Sequence, residues 1–194
     1  MRRLAVLGLV VTMVVAGASC APWPSRHHSP TSVTDASMAD DADKIDWLAN
    51  EPLFIVVRKS CRTLDVYQYG TRIRSYPAVF GLGGKDDKLY EGDRRTPVGL
   101  YAIIEKRPHT RWNWFFLLDY PNHTDVERWR VATEAGEVPS GVGTGGAVGI
   151  HGTDRPELNR TGVDWTWGCV SVDNDSIRDL AKLAPVGTLV LIQE

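Results

Sequence analysis

Two residues in the C-terminal part of the chain carry chemistry of a recognisable kind: His151 in "GIHGTD" and Cys169 in "TWGCVS". A thiol becomes a strong nucleophile only as thiolate, and an imidazole beside it serves either as the base that takes the proton or as the cation that stabilises the anion. A paired Cys169 is therefore expected to ionise below the ~8.5 of a free thiol. Gly152 offers a backbone carbonyl to the other ring nitrogen, which would fix the tautomer of His151. Gly168 leaves the chain unobstructed, so that the N–H groups of Trp167, Gly168 and Cys169 can face a developing oxyanion. A Cys–His pair of this kind is one standard solution for acyl transfer.

Other uses of the same residues exist. Free cysteine is among the most buried residue types, and Cys169 could instead fill space or form a disulfide with Cys61. His109, His123, His151 and Asp154 are conceivable zinc ligands, but no H-x-x-x-H or C-x-x-C spacing supports a site. No metal and no cofactor are expected. His27 and His28 read as a solvated pair.

The elements that must position these groups begin after a leader. "MRR" and the apolar run 4–18 form a secretory signal, too short for the ~20 residues of a membrane-spanning helix. "AGASC" favours Cys20 as the lipid-bearing first residue of a lipoprotein (residues 1–19 removed), with cleavage after Ala18 as the alternative. Residues 20–45, rich in Pro, Ser and Asp, read as a flexible tether. The rest, 46–194, is one domain large enough for a core. A net charge of −2 leaves no basic footprint for nucleic acid.

Within that domain "ADKIDWLAN" reads as a short helix, and "LFIVVRK" with "TLDVYQYG" as a hairpin. Strands follow at "TRIRSYPAVF", "VGLYAIIEKR", "RWNWFFLLDYP", "AVGIH" and "GTLVLIQ". Trp112, Trp114 and Phe116 alternate, which places them on one core-facing side, or along a groove. Helices are expected at "TDVERWRVATEAG", with Thr124 and Glu127 at capping-box spacing, and at "DNDSIRDLAKLAP", closed by Pro185. "KDDKLYEGDRRTP" reads as a charged, solvated loop. The sum is a mainly β domain, a β-sandwich or barrel-like fold with a few short helices.

"IHGTD" followed by "TWGCVSVDNDSIRDLAKLAPVGTLVLI" resembles the signature of the L,D-transpeptidase (YkuD-like) catalytic domain, a His-Gly, then a loop, then Ser/Thr-His-Gly-Cys. "GDRRTPVGLYAI" is similar to the family's Thr-Pro-x-Gly strand entry, and "LDYPNHTDVER" to a Tyr-Pro-Asn segment of one branch. The resemblance spans roughly 52–193. It implies that Cys169 attacks the amide before the terminal D-Ala of a peptidoglycan stem tetrapeptide, that His151 is the general base, and that the Gly152 carbonyl orients it. It further implies a backbone oxyanion hole at Trp167, Gly168 and Cys169, and acylation of the cysteine by carbapenems. Two positions depart from the family: Trp167 stands where it has His, and Ser171 where it has Arg or Asn. Thr166 and Ser171 remain candidate substrate contacts, and Glu91, Asp93, Arg94 and Arg95 could meet a charged stem peptide.

The implied partners are donor and acceptor stem peptides, a wall-anchored protein as another acceptor, and the membrane through a lipid on Cys20; no nucleic acid is expected. The location is the cell envelope. Water as acceptor would make the protein an L,D-carboxypeptidase or amidase, and loss of chemistry would leave a wall-binding lipoprotein.

Overall fold

The computed structural model describes residues 48–194. The signal, the tether, Cys20 and most of the expected first helix lie outside the described residues. Among those described, no helix is long and apolar enough to cross a membrane.

Strand β1 (Phe54–Arg58) is buried along nearly its whole length, Phe-Ile-Val-Val without alternation. Such a continuous apolar run suits a strand covered on both faces. It is flanked by antiparallel β2 (Thr63–Gln68) and parallel β8 (Leu189–Gln193). Strand β3 (Thr71–Pro77) closes the edge through a two-residue turn, Tyr69–Gly70. Both turn residues have positive φ, 45° and 73°, as a tight turn matching strand twist requires.

Strand β4 (Gly99–His109) is the corner of the molecule. Its first residues, Gly99–Ala102, pair with β8. From Ile103 onward it pairs with β5 (Asn113–Leu118), across a register shift between Ile103 and Glu105. A bulge of this kind bends a strand and sharpens its twist, so one sheet curls round its own core. Beyond β5 come β6 (Gly149–His151) and the two-residue β7 (Val170–Ser171), giving the order β3-β2-β1-β8-β4-β5-β6-β7.

Three helices lie wholly among the described residues: α1 (His123–Glu134), α2 (Pro156–Thr161) and α3 (Asn174–Leu183). Ile177 and Leu180 of α3, with Ala184 just beyond it, join Ile55, Val66, Phe116, Ile150 and Ile192 in the main core. A smaller cluster, Leu48, Phe54, Val56, Tyr67 and Leu191, covers the other face of β1. Full burial of such side chains stabilises by about 1.5–3 kcal/mol each.

The mainly β class with few helices is as the sequence predicts. The cap of α1 is not where the Thr124–Glu127 spacing puts it. Asn122 is the N-cap, accepting from the N–H groups of Thr124 and Asp125 at 2.9 and 3.2 Å, while Asp125 accepts the Asn122 N–H at 2.9 Å. Asp125 is fixed there by a buried partner, the Tyr101 hydroxyl at 3.0 Å, which local spacing cannot reveal. Helix α2 replaces an expected loop.

Candidate active site

The two chemically suspect residues end up at the end of one strand and just before its neighbour. His151 ends β6, and Cys169 immediately precedes β7, which runs parallel to β6 with His151 opposite Ser171. A parallel pair needs a crossover, and the segment containing α2 supplies it.

His151 is 1% exposed. Its Nδ1 lies 2.6 Å from the Gly152 carbonyl oxygen. A carbonyl only accepts, so Nδ1 carries the proton and Nε2 is left with its lone pair. Trp112 stacks on the imidazole at 4.3 Å and 18°, with Trp165 edge-on at 5.7 Å. Burial among these rings pushes the imidazole down to about 4, against the raising effect of the Gly152 carbonyl. Near neutral pH His151 is an uncharged, oriented base. Gly152 has no room for a side chain: a Cβ would lie 2.4 Å from both the Trp112 carbonyl oxygen and Asn174 Oδ1.

Cys169 is a free thiol, so the disulfide with Cys61 is not formed. Its Sγ faces the Ala147 carbonyl at 3.8 Å. Burial pushes the thiol up to about 11; a hydrogen bond from the Gly149 N–H and the charge of Lys88 pull the other way. This corrects the expectation of a depressed thiol. A stable thiolate–imidazolium pair requires a charged His151, and burial keeps His151 neutral. The resting pair is thiol and neutral imidazole.

The turn before Cys169 is clamped by Thr166, whose hydroxyl donates to the Cys169 carbonyl at 2.7 Å and accepts from the Gly168 N–H at 3.3 Å. The Gly168 N–H is thereby committed inside the turn. No backbone acceptor among the described residues takes the N–H groups of Trp167 and Cys169. Of the three N–H groups that the sequence sets side by side, these two have no partner among the described residues and the Gly168 N–H does. Gly168 itself sits at φ 130°, and a Cβ there would lie 2.8 Å from the Arg95 carbonyl oxygen.

Thr166 and Ser171, expected at the substrate, are 3% and 0% exposed. Their hydroxyls bond within the protein, and neither side chain is open to a ligand. What the site presents outward is Trp167, 77% exposed, with the Arg94 guanidinium 5.6 Å from its ring centre. Arg94 belongs to the loop read as solvated. That loop is in fact organised from within: the Lys88–Asp93 ion pair at 2.7 Å is almost wholly buried, and Asp93 also accepts from the N–H groups of Leu89, Tyr90 and Arg95. Of the conceivable zinc ligands, Asp154 is tied to Arg111 at 2.6 Å, and the His109 Nδ1 accepts from the N–H groups of Arg111 and Trp112.

The sequence groups Trp112 with Trp114 and Phe116, facing the core or along a groove, and does not foresee its stacking on His151. Asn113 adopts φ 68°, which breaks the strand alternation. Trp114 and Phe116 turn to the core, while Trp112 falls on the imidazole. Asn159, Trp165 and Asn174 were missed as well. Asn174 holds the Thr153 peptide from both sides, its Oδ1 accepting from Thr153 N–H at 2.9 Å and its Nδ2 donating to the carbonyl at 3.0 Å.

Comparison with known proteins bears on this geometry. Among solved structures, Bd1075 of Bdellovibrio bacteriovorus aligns at 26% identity and a TM-score of 0.51, over 73% of this chain and 47% of its own. The helical cell shape determining protein Pgp2 of Campylobacter jejuni aligns at 22% and 0.54, over 77% and 55%. An L,D-transpeptidase from Mycobacterium smegmatis aligns at 15% and 0.51, over 74% and 59%. At these identities the last two establish a common fold. The chain spans about half to three-fifths of the length of these proteins. No curated protein matches it. The family model of the L,D-transpeptidase catalytic domain matches residues 52–192, most of the chain, from before β1 into the last strand; the chain belongs to the YkuD family of L,D-transpeptidase catalytic domains.

Proposed function

We propose that the protein is a peptidoglycan L,D-transpeptidase in which Cys169 forms a thioester with a donor stem tetrapeptide. In this reading His151 Nε2 takes the thiol proton as Sγ attacks the carbonyl before the terminal D-Ala. The N–H groups of Trp167 and Cys169 receive the developing oxyanion, and the imidazolium then protonates the departing D-Ala amine. An amine from a second stem, or from a wall-anchored protein, attacks the thioester and regenerates the thiol. The observation that carries the reading is His151, held neutral with Nδ1 on the Gly152 carbonyl, one strand from a free thiol in a chain of this family. Because thiol and imidazole are both uncharged at rest, proton transfer accompanies attack instead of preceding it.

The test is mass spectrometry of the purified protein with disaccharide-tetrapeptide. An acyl adduct on Cys169 and a cross-linked dimer support transpeptidation; release of D-Ala with no dimer identifies a hydrolase. The absence of any adduct on reduced Cys169 removes the catalytic reading and leaves wall binding. In the proposed reading residues 46–194 are the catalytic unit, exported to the envelope and tethered by residues 20–45 from a lipid on Cys20. Intact mass of the membrane fraction tests that anchor, and a soluble mature chain beginning at Ser19 overturns it.

A further inference from the structure

Beyond the Gly152 carbonyl that holds His151 lies a run of polar side chains that the proposed chemistry does not itself use. Ser171 is wholly buried and Asn159 is 6% exposed. The Trp165 Nε1–H donates to Asn159 Oδ1 at 2.9 Å, Asn159 Nδ2 donates to Ser171 Oγ at 3.1 Å, and Ser171 Oγ donates to the Gly152 carbonyl oxygen at 3.2 Å. The same oxygen accepts His151 Nδ1–H at 2.6 Å.

The two ends dictate the direction of this chain. An indole N–H can only donate, and a carbonyl oxygen can only accept. The indole claims Asn159 Oδ1, which turns the amide nitrogen to Ser171, and the serine proton is then free for Gly152. The reverse arrangement would send the Ser171 proton to Asn159 Oδ1, which is farther away at 3.5 Å. The direction of each hydrogen bond along the chain is thereby assigned, and the chain terminates on the one oxygen that sets the tautomer of His151.

We infer that Ser171 and Asn159 are positioning residues for His151, acting through the Gly152 carbonyl to keep Nδ1 protonated and Nε2 free to accept the thiol proton. This rests on the proposed acyl-transfer reading. Without the Ser171 hydroxyl the imidazole is the only donor among the described residues left to the carbonyl oxygen, and the Gly152–Thr153 peptide, still held at the Thr153 N–H by Asn174 Oδ1 at 2.9 Å, can tilt away from Nδ1. Once Nδ1 loses that acceptor, the Nε2–H form becomes accessible, and it has no lone pair to offer the thiol. Helix α2 is built to deliver the amide. Pro156 stands in its first turn and Gly162 caps it at φ 71°, where glycine is at home. Asn159 is its buried residue, and Arg155 just before it lies over the Trp165 ring at 5.5 Å. The inference also explains the departure at Ser171. The wholly buried hydroxyl accepts from Asn159 Nδ2 and donates to the Gly152 carbonyl oxygen through one atom, whereas a guanidinium has no acceptor to offer and an amide carries its donor and acceptor on separate atoms.

The test compares wild type with Ser171→Ala, Asn159→Leu, their double variant, and Trp165→Phe, which keeps the ring and removes only the N–H. Two readouts are taken: the imidazole 15N signals of His151, and the single-turnover rate of acyl-enzyme formation with disaccharide-tetrapeptide. Wild type should show the Nδ1–H tautomer alone. Ser171→Ala and Asn159→Leu should show a mixture and acylate about tenfold more slowly, the scale on which outer partners of a functional imidazole act, with little change in the half-saturating concentration. Trp165→Phe should change in the same direction by less. Ser171→Thr should restore the wild-type tautomer. The double variant should be no slower than the slower single, because both break one chain. Unchanged His151 15N signals in Ser171→Ala, or losses that multiply in the double variant, overturn the inference. Should the tautomer respond as stated while wild type forms no acyl-enzyme, the positioning stands and the reaction assigned to the site falls.

Discussion

At the scale of single residues, the thiol of Cys169 and the imidazole of His151 are both uncharged near neutral pH. The thiol is held high, at about 11, and the imidazole low, at about 4, both by burial before anything else. Alkylation of Cys169 by iodoacetamide should therefore climb steadily from pH 7 to 10 without levelling, since the thiolate fraction is still growing there. A plateau reached below pH 8.5 would mean that His151 is charged after all and pairs with a thiolate. On the acid side, turnover of tetrapeptide should persist until the pH approaches about 4, where the base takes up a proton. Arg94 is the second residue to test. It holds φ 58° in an exposed loop and stacks on Trp167, with no carboxylate partner among the described residues. A free guanidinium on an exposed indole suits the carboxylates of a stem peptide. Arg94→Ala should raise the half-saturating tetrapeptide concentration about threefold, an effect of the size expected for one exposed cation. A change confined to kcat would place Arg94 outside substrate binding.

At the scale of elements, the site depends on a few places where chain passes tightly over chain. Gly168→Ala puts a Cβ 2.8 Å from the Arg95 carbonyl oxygen at a φ of 130°. Strain at such a position costs about 1–3 kcal/mol; the variant should unfold at lower urea and lose acylation, because the same turn aims the N–H groups of Trp167 and Cys169. Asn122→Ala is the contrasting case. It should cost about 1 kcal/mol through the α1 cap and leave acylation per folded molecule intact. These elements also show what a sequence discloses. Strands β1, β2, β4, β5 and β8 were legible because their apolar runs and turn residues are local signals, and α3 because Asp173 caps it and Pro185 ends it. His151 and Cys169 were legible because their neighbours carry a motif. Asn159, Trp165 and Trp112 were not. Their partners lie across the crossover or beyond an irregular backbone at Asn113, and no periodicity encodes that. The buried Lys88–Asp93 pair hid for a related reason: a run of charges reads as solvated until the fold closes over two of them.

For the molecule as a whole, the buried base has a cost in stability that depends on pH. His151 titrates at about 4 in the folded protein, against 6.5 for an unperturbed imidazole. Above pH 6.5 neither folded nor unfolded chain binds this proton, and the full stability is present. Between 6.5 and about 4 the unfolded chain takes up a proton that the folded one refuses. Stability falls there by ~1.4 kcal/mol per pH unit, or about 3 kcal/mol across the window. Carboxylates held low by their partners, such as Asp93 beside Lys88, act in the same direction only further down, as the pH passes below the ~3.9 of an unfolded Asp. The two contributions therefore separate on the pH axis. Urea midpoints measured at pH 7.5, 6.0, 5.0 and 4.5 should decline through the histidine window in wild type. In His151→Phe, which keeps a ring against Trp112 and removes the titrating group, the same interval should be nearly flat, with decline beginning only near pH 4. Parallel curves for the two proteins would show that His151 is accessible to protons in the folded state, and with that the neutral-pair description of the site would fail.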